Sequence, residues 1–468
     1  MGSDRKEDKT ANPVREDFVP KEAYYSPDFL QKEKEKLWPH VWQIACRLEE
    51  IPNVGDFVTY DILDDSLIIM RTSDTEIKAM HNVCTHRGRR LTEGCGHLKQ
   101  IVCRFHGWRW DIKGENTAVI DADDYQDKLK PEDIRLGEAL VGLWGGFVWI
   151  NMDLDAEPLM DFLRPLEERL ALYEFEKLRF RWYKTVIAPC NWKVALEAFN
   201  EGYHVQTSHP QFLPFIDSYS GSRAYGPHSA FGYAENPPRP DRYGFVRSFR
   251  LPGEAGPDYR QYILDYVEEF HKELRAMVTP RAYEATQRLR TECPADATQM
   301  EVYEKWMQFQ REAAIEDGAG WPDISPEYLM ASEADWHVFP NTVFVHGGID
   351  GVLWYRARPN GDDPDTCIFD VWSLVRYAPG QEPKLERQFF RTWEEHKDWG
   401  RVLMQDLQNF PAVQQGMKSR GFKGSRTNPV QEVAVSNFHR ALYDFLNGEP
   451  DDGKESGSVS PFRKKASG

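Results

Sequence analysis

The sequence predicts an α+β fold, in which a small all-β domain precedes a larger domain that mixes strands and helices. Between residues 40 and 155, short β-prone runs such as 56–72 and 142–152 are broken by turn signals. Between residues 156 and 446, stretches with helical periodicity alternate with further β-prone runs. Both ends of the chain are polar, which places the packed core between them.

The elements follow in order along the chain. Residues 1–39 are predicted to form a tail and a helix that packs on the larger domain, because apolar and charged residues alternate at helical spacing. Residues 191–210 are predicted to form one helix, and a charged, helix-prone insertion spans about 257–317. A disordered tail is expected at 447–468. The remaining predicted elements are helices at 158–175, 394–416 and 430–446, and strands at 178–187, 335–347, 351–359 and 366–379.

Composition excludes several classes of protein. The formal net charge of -17 argues against nucleic acid or an anionic membrane as the main partner. Seven cysteines in 468 residues do not make a disulfide scaffold, and the odd count suits a reducing compartment. Residues 1–16 lack the apolar segment of a signal peptide, and no apolar run approaches the roughly 20 residues of a membrane span. The expected location is the cytoplasm, and the expected host is a bacterium.

A metal-binding motif lies within the segment CTHRGRRLTEGCGHLKQIVCRFHGW. The pairs Cys84-x-His86 and Cys103-x-x-His106 are separated by sixteen residues. Two thiolates and two imidazoles suit a [2Fe–2S] cluster in which one iron takes both cysteines and the other takes both histidines. A structural zinc site is the alternative, although zinc fingers usually pair Cys with Cys and His with His.

The same segment resembles the Rieske domain of the Rieske non-haem iron oxygenases. Cys95 and His97 lie between the two pairs and are predicted to have no ligand role. Respiratory Rieske proteins carry two further cysteines that form a disulfide beside the cluster. Here Arg104 stands in the CRFH loop and the Cys84 loop reads CTHRGRR. The resemblance therefore implies the low-potential oxygenase branch, with a Rieske domain at 40–155 and a helix-grip catalytic domain at 156–446.

A second motif, Glu201-Gly-Tyr-His204-Val-Gln-Thr-Ser-His209, offers two histidines five residues apart. With a distant carboxylate they can form the 2-His-1-carboxylate triad of non-haem iron oxygenases, whereas a His pair alone also fits a core or a surface. The segment is similar to the oxygenase pattern, in which Asn-Trp-Lys (here 191–193) and Glu197 precede an acidic residue and the two histidines. The resemblance implies that His204 and His209 bind iron.

The resemblance also implies a third iron ligand far downstream, where the family places Asp ahead of Asn on an amphipathic helix. Asp406, three residues before Asn409, is the predicted ligand, with Asp398 and Glu395 as alternatives. His439, on the C-terminal helix, is predicted to be structural.

Two residues depart from the commonest family pattern. Position 198 is Ala where many members have Asn, which puts a polar role near the iron in doubt. Position 201 is Glu rather than Asp. In the family this carboxylate bridges a cluster histidine of one chain and an iron-binding histidine of the next, so the implied electron route runs from His106 through Glu201 to His204. Glu here resembles the branch that acts on quaternary ammonium compounds.

The resemblance implies a terminal oxygenase that uses electrons and dioxygen at Fe(II) to hydroxylate an aromatic or other apolar substrate. The alternative is a monooxygenase or demethylase of a quaternary ammonium, methoxylated or N-methyl compound, and a third reading is a non-catalytic iron–sulfur electron-transfer protein. The expected partners are an NAD(P)H-dependent reductase, with or without a ferredoxin, in a homotrimer or an α3β3 hexamer. The substrate pocket is expected among residues 199–215, the insertion and the strands at 336–372, which are rich in aromatic side chains.

Overall fold

The computed structural model describes the chain in five stretches and separates it into two compact units. The stretches are 12–212, 221–232, 258–346, 348–396 and 398–448. Residues 33–164 and 175–177 form the small unit, and the other described residues form the large unit. The first residues of the predicted tail, the start of the insertion, residues 213–215 of the expected pocket and the end of the chain from 449 lie outside the described residues.

The small unit is built on a seven-stranded antiparallel sheet, as the turn-rich β pattern predicted. Its strands, in sheet order, are Gln43–Arg47, Phe147–Asn151, Glu138–Trp144, Ile77–His81, Asp65–Arg71, Asp56–Ile62 and Cys95–His97. A three-stranded sheet adds Ile101–Val102, Arg109–Trp110 and Asn116–Ala118. The short helical turns are Glu33–Leu37, Leu48–Glu50, Ala122–Tyr125, Pro131–Ile134, Leu159–Phe162 and Phe175–Lys177.

The β-prone run at 142–152 is a hairpin rather than one strand. Gly145 and Gly146 have φ of 61° and 78°, values that a two-residue turn matching the twist of the flanking strands requires at both positions. Because glycine adopts positive φ without steric cost, the Gly-Gly pair closes the hairpin between Trp144 and Phe147.

The core of the small unit reaches the metal-binding motif. Cys84 and Cys103 are buried in the same cluster as Trp108, Trp110 and Met80. Apolar packing in this cluster therefore holds both cysteine-bearing loops, which limits the movement of their tips.

The large unit contains an eight-stranded sheet. In sheet order its strands are Gly221–Tyr225, His228–Gly232, Asp335–Val338, Thr342–Val345, Gly351–Asn360, Asp363–Arg376, Leu178–Ala188 and Arg387–Phe390. Every neighbouring pair is antiparallel except the last, which is parallel. A two-stranded sheet pairs Val19–Pro20 with Gly424–Ser425. An antiparallel sheet with covering helices confirms the predicted fold class.

Helices Trp192–Glu197 and Val433–Asn447 pack on this sheet, and Arg401–Met417 packs against Trp192–Glu197. The other helical segments outside the insertion are Lys21–Tyr24, Pro27–Lys32, Arg164–Leu170, Ala171–Tyr173, Val205–Ser208, Pro210–Phe212, Pro326–Ala331 and Trp393–Glu395. Among the described residues, no helix has both the length and the apolar character needed to cross a bilayer.

The prediction of one helix over 191–210 was wrong. The first helix ends at Glu197, and a second, Val205–Ser208, begins only after His204. In the gap, one carboxylate oxygen of Glu201 accepts the backbone N–H groups of Tyr203 and His204. This acceptor satisfies donors that a continuous helix would have used internally, so the chain starts a new helix there.

The insertion is helical, as predicted. Its segments are Tyr259–Glu269, Phe270–Leu274, Pro280–Gln287, Leu289–Glu292 and Gln299–Glu316. Thr298 and Glu301 form a reciprocal capping box at the start of the longest of them. The helices share their own apolar cluster, which includes Leu289, Val302 and Phe309. The insertion is thus a packed subdomain rather than a loose loop.

Candidate metal centres

The two cysteine-bearing loops of the small unit adopt the same backbone conformation. In each, the cysteine N–H donates to the carbonyl five residues on, at 2.8 Å for Cys84 and 2.9 Å for Cys103. In each, a glycine four residues on, Gly88 or Gly107, donates back to the cysteine carbonyl at 2.9 or 3.0 Å, with φ of 74° or 72°. The repeated turn directs the side chains of both loops to one place.

The sulfur of Cys103 lies in hydrogen-bond range of that of Cys84. Burial opposes ionisation of the Cys103 thiol, but the backbone N–H groups of Phe105 and His106 point at its sulfur and hold its pKa below the ordinary value. Backbone donors aimed at a cysteine sulfur stabilise the thiolate, which is the form that binds metal.

The two motif histidines complete the site. The rings of His86 and His106 lie 4.6 Å apart at 74°, and His86 stacks on Trp108 at 4.9 Å and 10°. The Nδ1 atom of His86 is buried and has no hydrogen-bond partner. A bare ring nitrogen beside two buried thiols fits a metal ligand, so the donor set fits a Rieske cluster. Cys95 and His97, in contrast, are exposed on an edge strand, where His97 contacts Asp56 at 3.0 Å.

In the large unit, the structure brings His204, His209 and Asp406 together. One ligand atom from each lies within 4.8 Å of the others. Asp406 Oδ1 is 3.0 Å from Nε2 of His209 and 3.7 Å from Nε2 of His204. The histidines flank the short helix Val205–Ser208, and Asp406 comes from Arg401–Met417. This arrangement matches the 2-His-1-carboxylate donor set of non-haem Fe(II) sites.

Each histidine of this site is oriented through its other ring nitrogen. His204 Nδ1 contacts Glu201 Oε1 at 2.7 Å, and His209 Nδ1 contacts the side-chain oxygen of Gln405 at 2.8 Å. Gln211 donates to the same oxygen of Gln405 at 2.8 Å. A proton held at Nδ1 leaves the Nε2 lone pair free for a metal. Gln405 was not predicted from the sequence.

Glu201 sets the charge of His204. Burial lowers the pKa of His204, but the hydrogen bond and the negative charge of Glu201, followed by the charge of Asp406, raise it to about 9. A metal ion entering the site therefore displaces a proton from Nε2.

The alternative carboxylates lie elsewhere. Asp398 is 61% exposed and forms an ion pair with Arg275, and Glu395 accepts the backbone N–H of Arg391. His439 is fully buried and contacts Glu197 at 2.6 Å.

Two family models match the chain. The model of the Rieske [2Fe-2S] domain matches residues 41–128, and the model of the ring hydroxylating alpha subunit catalytic domain matches residues 175–448, more than half of the chain. The chain belongs to the Rieske non-haem iron oxygenase alpha subunits. The family confirms the predicted pair of metal centres, a Rieske cluster and a mononuclear iron.

Among curated relatives of this oxygenase alpha subunit, the carnitine monooxygenase oxygenase subunit of Escherichia coli is 32% identical over 213 residues. That alignment covers 43% of this chain and 54% of the relative. The glycine betaine monooxygenase oxygenase subunit of Chromohalobacter salexigens is 29% identical over 217 residues, which cover 45% of this chain and 48% of the relative. The chain thus spans about half the length of these relatives.

Solved structures share the fold of this alpha subunit. A quaternary ammonium Rieske monooxygenase in complex with L-carnitine superposes with a TM-score of 0.60 and 20% identity, over 93% of this chain and 97% of that one. Naphthalene 1,2-dioxygenase from Rhodococcus sp. gives a TM-score of 0.59 with 18% identity, over 92% and 95%. At these identities the structures show the fold and leave the substrate open.

Proposed function

We propose that the chain is the terminal oxygenase component of a Rieske system. The observation that carries the proposal is the convergence of His204, His209 and Asp406 in the large unit. The same chain carries the Rieske motif in its small unit. When bound, the mononuclear Fe(II) supplies dioxygen activation and the cluster supplies electrons. A purely electron-transferring protein has no use for the second site, so the arrangement favours catalysis.

The protein residues around the iron site position and shield it. Glu201 and Gln405 hold the two histidines in the tautomer that presents Nε2, and the surrounding burial excludes water from Asp406 and His209. We propose that the cluster ligands are Cys84, His86, Cys103 and His106.

Glu201 is proposed to act also between chains. Its Oε1 contacts His204 Nδ1 and its Oε2 accepts backbone N–H groups, so the carboxylate is fixed beside the iron ligand. A quaternary ammonium Rieske monooxygenase of 19% identity transfers electrons between subunits. We propose the same route here, from His106 of one chain to Glu201 and His204 of the next, in a trimer or an α3β3 hexamer.

For the substrate, we favour the monooxygenation of a quaternary ammonium or other N-methyl compound. Glu at position 201 and the relatives that act on carnitine and glycine betaine support this choice. Ring hydroxylation of an apolar aromatic compound is the second candidate, because aromatic residues such as Phe212 and Phe270, stacked at 5.2 Å, adjoin the iron site. The proposed electron source is NAD(P)H through a reductase, with or without a ferredoxin, in the bacterial cytoplasm.

The test is substrate-triggered oxygen consumption by the holoprotein with a reductase and NADH. L-carnitine, glycine betaine, choline, naphthalene and indole form the panel. Formaldehyde or another aldehyde released from an ammonium compound supports the favoured reaction, whereas dihydrodiols support ring hydroxylation. His204→Ala is the control and should abolish the product. Oxygen uptake that persists in this variant would contradict the assignment of the iron site.

A further inference from the structure

An acidic side chain with no partner lies buried near the iron site. Asp335 begins the strand Asp335–Val338 and is only 7% exposed. Within the described part of the chain, no residue donates a hydrogen bond to its carboxylate or forms an ion pair with it. Asp335 shares a sheet face with His337, which pairs through Val343 with Tyr355, so Asp335 and Tyr355 lie on the same face of the sheet. The charge of His204 also reaches Asp335.

This isolation is energetically unfavourable. Burial raises the pKa of Asp335 well above its ordinary value, because the loss of hydration outweighs the attraction of His204 and no donor in the described residues contacts the carboxylate. Other buried carboxylates of the large unit are paired. For example, Asp370 forms an ion pair with Arg356, with 2.6 Å between Oδ2 and the guanidinium nitrogen. Asp335 thus stands out as a group whose partner comes from outside the chain.

Two tyrosines lie within electrostatic range of Asp335, and each has aromatic neighbours. Tyr355, on the strand Gly351–Asn360, lies within electrostatic range of both Asp335 and Asp406, and so connects the buried acid to the iron site. Its ring stacks on Phe199 at 4.0 Å and 18°. Tyr355 is 2% exposed, and its hydroxyl has no hydrogen-bond partner among the described residues. The buried Tyr355 hydroxyl therefore remains available for a polar contact.

The second tyrosine, Tyr266, belongs to the helical insertion. Tyr266 also lies within electrostatic range of Asp335. The ring centroids of Tyr266 and Phe270 are 4.5 Å apart, and those of Phe270 and Phe212 are 5.2 Å apart. The ring centroid of Phe212 is in turn 5.8 Å from that of the iron ligand His209. A continuous row of rings thus leads from the carboxylate to the iron site.

We propose that Asp335, flanked by Tyr266 and Tyr355, forms the subsite that recognises the positively charged nitrogen of an ammonium substrate. The inference rests on the proposed function, since it names the recognition element of the same active site. The aromatic walls exclude water, which strengthens the attraction between a carboxylate and a cation, and electron-rich rings add cation–π attraction. A neutral aromatic substrate would leave the carboxylate buried and unpaired.

The experiment measures binding, independently of turnover, by calorimetry on the anaerobic holoprotein. Choline and its neutral isostere 3,3-dimethylbutan-1-ol are the matched probes, with L-carnitine and glycine betaine as further cations. Asp335→Asn should weaken binding of the tightest cation by about 30-fold or more, because one member of a buried charge pair is removed. The isostere should bind the variant at least as well as it binds the wild type.

Two controls keep the outcome interpretable. Asp363→Asn, at an exposed position that begins the strand Asp363–Arg376, should change nothing, and thermal unfolding followed by circular dichroism should show that each variant is folded. Asp335→Glu should restore part of the cation affinity. The inference is overturned if Asp335→Asn binds cations as the wild type does, or if no cation in the panel binds. Failure of the oxygenase proposal would appear separately, as the absence of oxygen uptake with every substrate.

Discussion

Gln405 offers a sharp test of how the iron site is held. Its side-chain oxygen contacts His209 Nδ1 at 2.8 Å and accepts from Gln211 at 2.8 Å. Gln405→Leu keeps a similar volume and a good helix former in Arg401–Met417 but removes the acceptor. His209 is only 3% exposed, so its Nδ1–H group then has no partner. Without that hydrogen bond the ring loses its orientation.

The expected magnitude follows from two independent arguments. Leaving a buried donor unsatisfied costs about 1–3 kcal/mol. Removing a partner that orients a metal-bound histidine lowers metal affinity by about 10- to 100-fold, which corresponds to about 1.4–2.7 kcal/mol. We therefore expect the affinity of the mononuclear site for Fe(II) to fall by about 10- to 100-fold in Gln405→Leu.

The assay is an anaerobic Fe(II) titration of protein from which a chelator has removed the mononuclear iron but not the cluster. Gln408→Leu is the matched control, because Gln408 is an exposed glutamine on the same helix. It should bind iron as the wild type does. Equal iron affinity in Gln405→Leu and the wild type would refute the role of Gln405, and equal losses in both variants would indicate a general effect on the helix.

Three further outcomes are expected. His204→Ala should abolish turnover and leave the visible and EPR spectra of the cluster unchanged; loss of the cluster signal would contradict two separate metal sites. Gly88→Ala and Gly107→Ala should reduce cluster content and thermal stability by similar amounts, because both glycines have positive φ and the added Cβ at Gly107 would meet only the end of the exposed Ile120 side chain, which can move aside; wild-type cluster content and stability in both variants would contradict this. Burial, reinforced by neighbouring histidines, lowers the pKa of His337 to about 3, whereas the pKa in an unfolded chain is about 6.5. The unfolded state therefore binds the proton first, and the free energy of unfolding falls as the pH drops below about 6.5. In urea unfolding between pH 5 and 6.5, His337→Phe should lower the pH slope of the unfolding free energy by about 1 kcal/mol per pH unit, because the unfolded histidine is only partly protonated over this range, and an unchanged slope would be evidence against it.

The fold class could be predicted from the sequence, and the cysteine and histidine members of the two proposed ligand sets could be proposed from it, because they depend on local spacing. Cys84 and Cys103 each carry a histidine and a glycine within four residues, so the turn and its ligands are encoded together. His204 and His209 are likewise close in sequence. Asp406 lies about two hundred residues further on, and the resemblance to a known family, rather than any local pattern, singled it out.

The residues that sequence reasoning missed act through tertiary contacts. Gln405 reaches His209 only because the helix Arg401–Met417 lies beside the segment that follows Val205–Ser208, and its position next to Asp406 in the sequence does not reveal that contact. Asp335 looks like an ordinary polar residue at a strand end, since isolation from all donors is visible only after folding. The break before His204 was also missed, because a side-chain acceptor competing with helical hydrogen bonds resembles a normal helical glutamate in the sequence.

In the function proposed above, one chain holds a Rieske cluster and a separate mononuclear iron. Quantifying iron and acid-labile sulfide in anaerobically purified protein tests it most directly. The wild type should contain the two irons and two sulfides of a [2Fe–2S] cluster plus one further iron at His204, His209 and Asp406. Asp406→Ala should lose only the further iron and keep its sulfide and its Rieske EPR signal. Loss of sulfide together with that iron, or a wild type with no iron beyond the cluster, would contradict the account.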